Sequence, residues 1–429
     1  MTAELVATRL GPLPADWSVR PLGEVTARTA IPVEVEGRER YREIGIRSHG
    51  KGVFHKEPVM GETLGAKRVF HVVPDRLVFN IVFAWEGAVA VTSTHEAGMI
   101  ASHRFPMFAP SRERLVDVEF LRRFFQTEQG VRLLGDASPG GAGRNRTLNQ
   151  KSTAEIPVPV PPLGEQKKIA AILSSVEDAI KATHAVIDQL HVVKSAVMAE
   201  LLTRGLPGRH TKFKITGLGE VPEEWSVTSV GDLLEESAYG TSAKCHAAGD
   251  GLPVLRIPNV VTERVTLDEL KYARLPAAEI ERCSLRAGDI LIIRSNGNPL
   301  YVGRSAVVPR LEGPHLYASY LIRLRPKTSV VSSAFLHEAM RSPKARQTMQ
   351  GSIRTSAGNY NLNSHGIAST LVPVPSPAEQ AEITTLADGL QTRVDAEEAT
   401  LEALREARAA LLPALLTGEI RVKPDDGAT

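Results

Sequence analysis

The sequence predicts an α/β (α+β) chain made by duplication. It has two similar globular domains, separated and joined by two long antiparallel, coiled-coil-like helices with pseudo-twofold symmetry. Three observations predict it. IPVPVPPLGEQKKIAAIL at 156–173 recurs as TLVPVPSPAEQAEITTLA at 370–387, which carries Glu165 onto Glu379, 214 positions later. LPADWSVRPLGEV at 13–25 recurs as VPEEWSVTSVGDLL at 221–234, which carries Trp17 onto Trp225, 208 positions later. Each V-P-V-P opens onto about 40 residues whose apolar positions alternate in steps of three and four, the heptad signal of a helix packed lengthwise on another. Matched landmarks in one order and at nearly equal offsets indicate an internal repeat.

The elements follow in order. Residues 1–160 form the first domain, with strand-like runs at Tyr41–Ile46, Arg68–Val73 and Leu77–Phe83, rich in the branched and aromatic residues that suit strands. Residues 111–134 read as a helix, and SPGGAGRNRTLN at 138–149 as a glycine-rich basic loop running by a strand into the prolines. The first helical spacer occupies 161–205, with its helix at Leu163–Leu202; the prolines at 161 and 162 suit its entrance, and LTRGLPG stops it. At about 1.5 Å per residue it is a rod of about 60 Å. The second domain, 206–372, carries Pro253–Val260 as a strand, Ile290–Ile293 as an apolar strand running into the turn RSNGNPL, and a helix at 330–350. The second spacer, 373–418, holds a helix from Pro377 to Leu416, and 419–429 is a polar tail.

Composition narrows the function. At 42% hydrophobic and 23% charged residues the chain reads as an ordinary soluble protein, and 429 residues leave room for two or three domains. A net charge of +2 supplies no global basic field, so any nucleic-acid contact must come from local patches. Cys245 and Cys283 lack C-x-x-C or metal spacing and read as reduced thiols of a cytoplasmic protein. The N-terminus lacks the apolar core of a signal peptide. Leu77–Val91 is broken by Asn80, Trp85 and Glu86, far short of a membrane span.

Catalytic constellations are missing from the pattern. There is no phosphate loop, and the glycines of 138–143 do not form G-x-G-x-x-G between a strand and a helix. His95-Glu96 and His337-Glu338 begin zinc-like motifs, but Met99 and Arg341 stand where the second histidine belongs. The sequence therefore nominates no catalytic residue and no metal site, and reads as a binding device. A stand-alone methyltransferase or nuclease with its own reading domains, or a helical scaffold, are the alternatives.

The positive signals fit nucleic acid. RERYREIGIRSHGKGVFHK at 38–56 holds six Arg/Lys against two Glu, and nominates Arg42, Arg47, Ser48, His49 and Lys51. Arginine forks take phosphate or the guanine edge, and asparagine takes adenine. Arg144, Arg146 and Asn149 form a second loop, whose counterpart in the other half is Asn359, Tyr360, Asn361 and Asn363. Arg256, Asn259, Arg294, Ser295, Asn296 and Arg304 cluster near strand ends of the second domain. The bland alternative is a solvated loop for the charges and turn chemistry for the asparagines. On the long helices, Ile169, Ile172, Val176, Leu190, Leu386, Leu390, Leu401 and Leu404 make the apolar seams nominated for partner binding.

The duplicated V-P-V-P…E-Q helix entrance, the LLTRG and LLTGEI helix stops, the W-S-V openings, GDILIIRSNGNPLYVGRSAVV at 288–308, and YREIGIRSHGKGVFHK with LVFNIVFAWEGAVA carry a family resemblance. The chain resembles the DNA-specificity subunit of type I restriction–modification systems. The resemblance implies a non-catalytic reader of a bipartite, asymmetric target in double-stranded DNA, with the two helices as a ruler. It further implies docking of modification subunits, two by expectation, that methylate adenine, and of restriction subunits. S-adenosylmethionine, ATP and Mg are then expected in those partners and no cofactor in this chain.

Overall fold

The computed structural model describes residues 4–140, 146–247, 249–356 and 358–423. The chain divides into two compact units: residues 1–184 with 400–429, and residues 185–399. Each unit therefore takes one half of each long helix.

In the first unit the elements used below are β1 Ser18–Pro21, β2 Thr26–Thr29, β3 Leu77–Phe79, β4 Val89–Val91, β5 Met107–Pro110, β6 Pro157–Val160, α1 Val118–Phe124, α2 Glu128–Asp136, α3 Gln150–Glu155 and α4 Leu163–Arg204. An antiparallel sheet runs β4–β3–β5–β2. Leu77, Val78 and Phe79 are all fully buried, so both faces of β3 are covered and the strand reads as a continuous apolar run. One core gathers Trp17, Leu77, Phe79, Phe120, Phe124, Phe125, Ile169, Leu173, Leu415 and Leu416. Phe79 meets Phe125 edge-on at 5.3 Å, the ring geometry favoured by the aromatic quadrupole. Within this unit the two helix halves run antiparallel: Ile169 and Leu173 share the core with Leu415 and Leu416, Glu177 meets Arg408, and His184 meets Arg405.

The second unit adds β7 Ser226–Ser229, β8 Leu234–Tyr239, β9 Ile290–Ile293, β10 Ser295–Asn296, β11 Ser305–Val307, β12 Leu321–Pro326, β13 Arg354–Ser356, β14 Asn359–Asn361, β15 Leu371–Val374, α5 Ser333–Arg341, α6 Pro343–Gly351, α7 Ser364–Ala368 and α8 Pro377–Leu416. Its sheet runs β8–β12–β9–β11, the order of the first unit with each strand replaced by its repeat. Met198, Leu201 and Leu202 of α4 share a core with Ile383 and Ala387 of α8, and Lys194 reaches Gln391, again an antiparallel pairing.

The landmarks of the repeat meet in space. The W-S-V strand pairs with the V-P-V-P strand in both units, Ser18 opposite Val160 and Ser226 opposite Val374. Trp17 donates through Nε1 to Glu165 at 3.1 Å, and Trp225 to Glu379 at 3.0 Å. Both carboxylates are nearly inaccessible, at 2% and 3% exposure, and each takes a further donor. Arg421 bonds Glu165 at 2.8 and 2.9 Å, while His210 Nε2 lies 2.9 Å from Glu379. The adjacent glutamines do equivalent work: Gln166 Oε1 accepts from the Asp117 amide and Gln380 Oε1 from the Ser332 amide, the N-cap residues of α1 and α5. The E-Q pair thus ties the helix entrance to the domain on both sides. A first-turn acid complementing the helix dipole describes only part of that role.

Several elements differ from the sequence reading. The helix at 111–134 is two, α1 and α2, because Thr127 caps a new start by accepting from the Gly130 amide. A Cβ at Gly130 would lie 2.2 Å from the Phe124 carbonyl oxygen, so only glycine allows that sharp break. The helix at 330–350 breaks at Ser342-Pro343, where Ser342 caps α6 and proline takes its first turn. Pro253–Val260 is a strand only to Leu255 and then a 3-10 turn at Ile257–Asn259. Leu77–Phe83 ends as strand at Phe79, and Tyr41–Ile46 is two short strands, Arg40–Tyr41 and Ile44–Ile46. The segment after Asn149 is the helix α3 before β6. The apolar seam also differs. Leu386 of that seam is 46% exposed, while Ile187 and Lys194, which lie outside it, are buried. Tertiary partners, not hydrophobicity, place Lys194 inside.

Candidate nucleic-acid interface

In the second unit, two separate sequence stretches form one small sheet. β10 pairs with β14, Ser295 opposite Asn361 and Asn296 opposite Tyr360, and β14 pairs with β13. The amide of Leu362 donates to the Arg294 carbonyl at 2.7 Å. Arg294, Asn296, Asn359, Tyr360 and Asn361, nominated from 60 residues apart, are thereby neighbours. Arg294 lies over the Tyr239 ring at 5.0 Å and donates through Nη1 to the Ser319 carbonyl at 3.3 Å, two contacts that orient its guanidinium. Arg354, Thr355 and Ser356 on the outer strand are exposed. The loop after β10 is held by two asparagine turns, Asn298 N to Asn296 Oδ1 at 2.7 Å and Leu300 N to Asn298 Oδ1 at 3.0 Å.

The first unit builds its counterpart from other residues. The loop of Arg47–Gly52 lies against the 3-10 turn Ala84–Glu86: the His49 amide donates to the Glu86 carbonyl and Ser48 Oγ to the Glu86 carboxylate at 2.8 Å. Arg146 sits 5.8 Å from the Trp85 ring centre, and the Leu148 amide donates to the Ile81 carbonyl at 2.8 Å. That bond is the repeat of Leu362 to Arg294, so both units tie their asparagine–arginine segment to the chain just after the central strand. Arg42, Arg47, His49 and Lys51 are exposed. His49, Gly50 and Gly52 hold φ of 58°, 65° and 78°, a left-handed run that turns the loop sharply. Arg144 lies outside the described residues.

Other nominated residues have structural employment, which corrects the reading from residue type. Asn259 is 1% exposed, with its amide given to the carbonyls of Thr266 and Asp268; it pins a loop and faces no ligand. Asn149 and Asn363 are helix N-caps, accepting from Lys151 and Ser152 and from Gly366. Their oxygens are committed, as the capping preference of asparagine dictates. Ser295 is 8% exposed. Arg256 donates to the Glu269 carbonyl, and Arg304 to those of Leu300 and Val261; both brace loops. On the helices, Ile169 is fully buried and Leu401 is 6% exposed within the chain itself, so neither can meet a partner. Ile172, Val176, Leu190, Leu390 and Leu404 are half-buried, and Leu386 is exposed. Sequence reasoning missed Arg354, Trp85 and Tyr239. The aromatic partners of Arg146 and Arg294 lie about 60 residues away in the chain, beyond any local pattern.

Each unit carries an antiparallel four-stranded sheet and an arginine-bearing edge at a repeated place, on paired helix halves, so the chain is a duplicated one in structure as in sequence. The comparisons place it among known proteins. The family model described as Type I restriction modification DNA specificity domain matches residues 80–192. The EcoKI specificity subunit of Escherichia coli K12 is 27% identical over 287 residues, covering 67% of this chain and 61% of that one. The MjaVIII specificity subunit of Methanocaldococcus jannaschii is 22% identical over 430 residues, covering 96% of this chain and 94% of that one. The chain thus spans less than two thirds of the first relative and nearly all of the second. The S subunit from M. genitalium superimposes with a TM-score of 0.56 at 15% identity, covering 97% of this chain and 99% of that one. A chain solved in work on assembly and conformational transition of the type I R-M system gives 0.58 at 17%, covering 95% and 99%. The chain is similar to type I restriction–modification specificity subunits in sequence, and shares the fold of the solved S subunit.

Proposed function

We propose that the chain is the sequence-reading subunit of a type I restriction–modification complex, and that each unit reads one half of a bipartite, asymmetric DNA target. The observation that carries this is the similarity to a specificity subunit over 96% of the chain, joined to an arginine-bearing edge at the repeated place in each unit. The two edges differ in composition: Arg146 and Trp85 with the Arg47–Gly52 loop in one, Arg294, Asn296, Arg354 and Asn359–Asn361 in the other. Different donors and acceptors read different bases, which makes the target asymmetric. Phosphate contacts set most of the affinity of DNA binding, so a chain of net charge +2 binds weakly alone and tightly with its partners. Those partners are modification subunits docked on the half-exposed helix faces around Ile172, Val176, Leu190 and Leu386, and restriction subunits beyond them. Adenine methylation with S-adenosylmethionine, and ATP-driven steps with Mg, belong to the partners, and the complex works in the cytoplasm. Mapping methylated adenines in the host genome, with and without this chain, tests the reading. A two-part motif with a fixed gap that vanishes with the chain supports it. Methyl transfer by the isolated chain, given labelled S-adenosylmethionine and DNA, would overturn it.

A further inference from the structure

Each unit holds a buried polar junction at a repeated place. In the first, Glu177 of α4 ion-pairs with Arg123 of α1, with Arg408 of α8 at 3.1 Å and with Arg122 at 3.7 Å. Arg123 is 1% exposed and also donates to Ser174 Oγ at 2.8 Å. In the second, Lys194 of α4 donates to Gln391 of α8 at 2.6 Å and lies 3.9 Å from Glu338 of α5. The repeat superimposes the two. Gln391 lies 214 positions after Glu177, Arg408 lies 214 after Lys194, and Glu338 lies 215 after Arg123. That last offset is the one relating the N-caps Asp117 and Ser332. So the same three places carry arginine, glutamate and arginine in one unit, and glutamate, glutamine and lysine in the other. The residue offered by the domain helix has opposite sign in the two. Although burial works to raise it, the pKa of Glu177 is held below the usual carboxylate range by Arg123, Arg122 and Arg408.

We propose that these junctions are mounts that position each reading domain on its helix pair, and that their opposite charges make each domain accept only its own mount. A duplicated chain faces the problem such a device solves. Two similar domains and two similar pairs of helix halves offer a wrong pairing, and apolar cores of like volume discriminate poorly. Arg122 and Arg123 set on Lys194 would crowd three cations. Glu338 set on Glu177 would oppose two half-buried carboxylates. Leaving a buried charge without its partner is strongly destabilising, so the wrong pairing is rejected. Glu177, Lys194, Arg123 and Glu338 are positioning residues: they contact no base, but they fix the angle at which the reading edge is presented. The effect on reading rests on the function proposed above; the effect on mounting does not.

The test compares the full-length chain, R123E, and the triple variant R123E/E177Q/R408K, which carries the second unit's set at the first junction. Two quantities are measured: the urea unfolding midpoint of the chain, and base preference in each half of the target, selected from a randomised duplex library by the complex with modification subunits. R123E is expected to lower the midpoint and to blur one half-site by roughly tenfold or more, with the other half unchanged. The triple variant, matched again at its own junction, is expected to recover the midpoint; both mounts then carry one set, so the half-site is expected to stay blurred. A triple variant with the midpoint of R123E overturns the proposal, as does one whose base preference is fully restored, or an R123E chain with unchanged midpoint and preference. If the unaltered complex shows no bipartite preference, the function proposed above fails, while the unfolding comparison still decides the mount.

Discussion

Glu165 and Glu379 show how much one residue can organise. Each is sealed from water and accepts from a tryptophan of the same unit, Trp17 or Trp225. Hydrogen bonds to a buried charge stabilise by about 1.5–3 kcal/mol each. Replacing Trp225 by phenylalanine keeps the ring and deletes the donor, while His210 still serves Glu379. It should lower stability by about 1–3 kcal/mol in urea unfolding, and unchanged stability would show the bond to be idle. His337 makes the opposite case. Its Nε2 is buried with no hydrogen-bond partner among the described residues, and burial, aided by Arg341, pushes its pKa down to about 3 from 6.5. The folded imidazole stays neutral while the unfolded one protonates near 6.5. The unfolded state then binds more protons between those values, and stability falls as pH drops from 6.5 toward 3. His337→Gln should flatten that fall relative to the natural chain, by an amount on the order of a few kcal/mol at the acid end. Parallel pH profiles would remove His337 from the account. In the sequence the tryptophans and glutamates were visible as landmarks. Their bond was not, because 148 and 154 residues separate the partners.

At the scale of elements, periodicity located both long helices to within a few residues: Leu163–Arg204 and Pro377–Leu416. It failed on which face is buried. A strict heptad drifts from a straight helix by about 20° per repeat, and Lys194 enters the interior because Gln391 and Glu338 await it. The glycines that stop the helices were legible as breakers, and the structure supplies a second reason. Gly205 and Gly418 have φ of 76° and 72°, and a Cβ there would strike Glu379 and His210, or Pro14. Short domain helices were fused in the reading because their caps, Thr127 and Ser342, are common residues whose capping bonds appear only in three dimensions. Excising residues 176–179 from α4 should shorten it by about 6 Å. The gap between half-sites should then change, or binding be lost, in duplexes of graded spacing. An unaltered gap would deny the helix its ruler role.

At the scale of the whole molecule, the duplication was legible and so was its consequence for sheet order, since equal offsets force equal topology. The candidate reading edges were half legible as places in the fold. Residue types pointed to Arg294, Asn296 and Asn359–Asn361, which do meet, and also to Asn259, which is buried as a brace. Two separable heads make separable phenotypes. Arg354→Ala, on the exposed outer strand of the second unit, should weaken base discrimination in one half-site by about 1–3 kcal/mol if it reads a base, and leave the other half untouched. Methylation of duplexes mutated one half at a time would show it, and a uniform loss across both halves would make Arg354 a phosphate contact instead.

The division of the helices has a further consequence, in the order of synthesis. The second unit is one continuous segment, 185–399, but the first needs residues from 400 onward. Leu415, Leu416 and Arg421 complete a core begun by Trp17 and Glu165. Domains usually mature N-terminal first on the ribosome; here the first part made is the last part finished. A nascent chain arrested at residue 399 should yield a protease-resistant second unit once clear of the ribosome, with its N-terminal 184 residues still cleaved, and resistance of that segment should appear only on release of the complete chain.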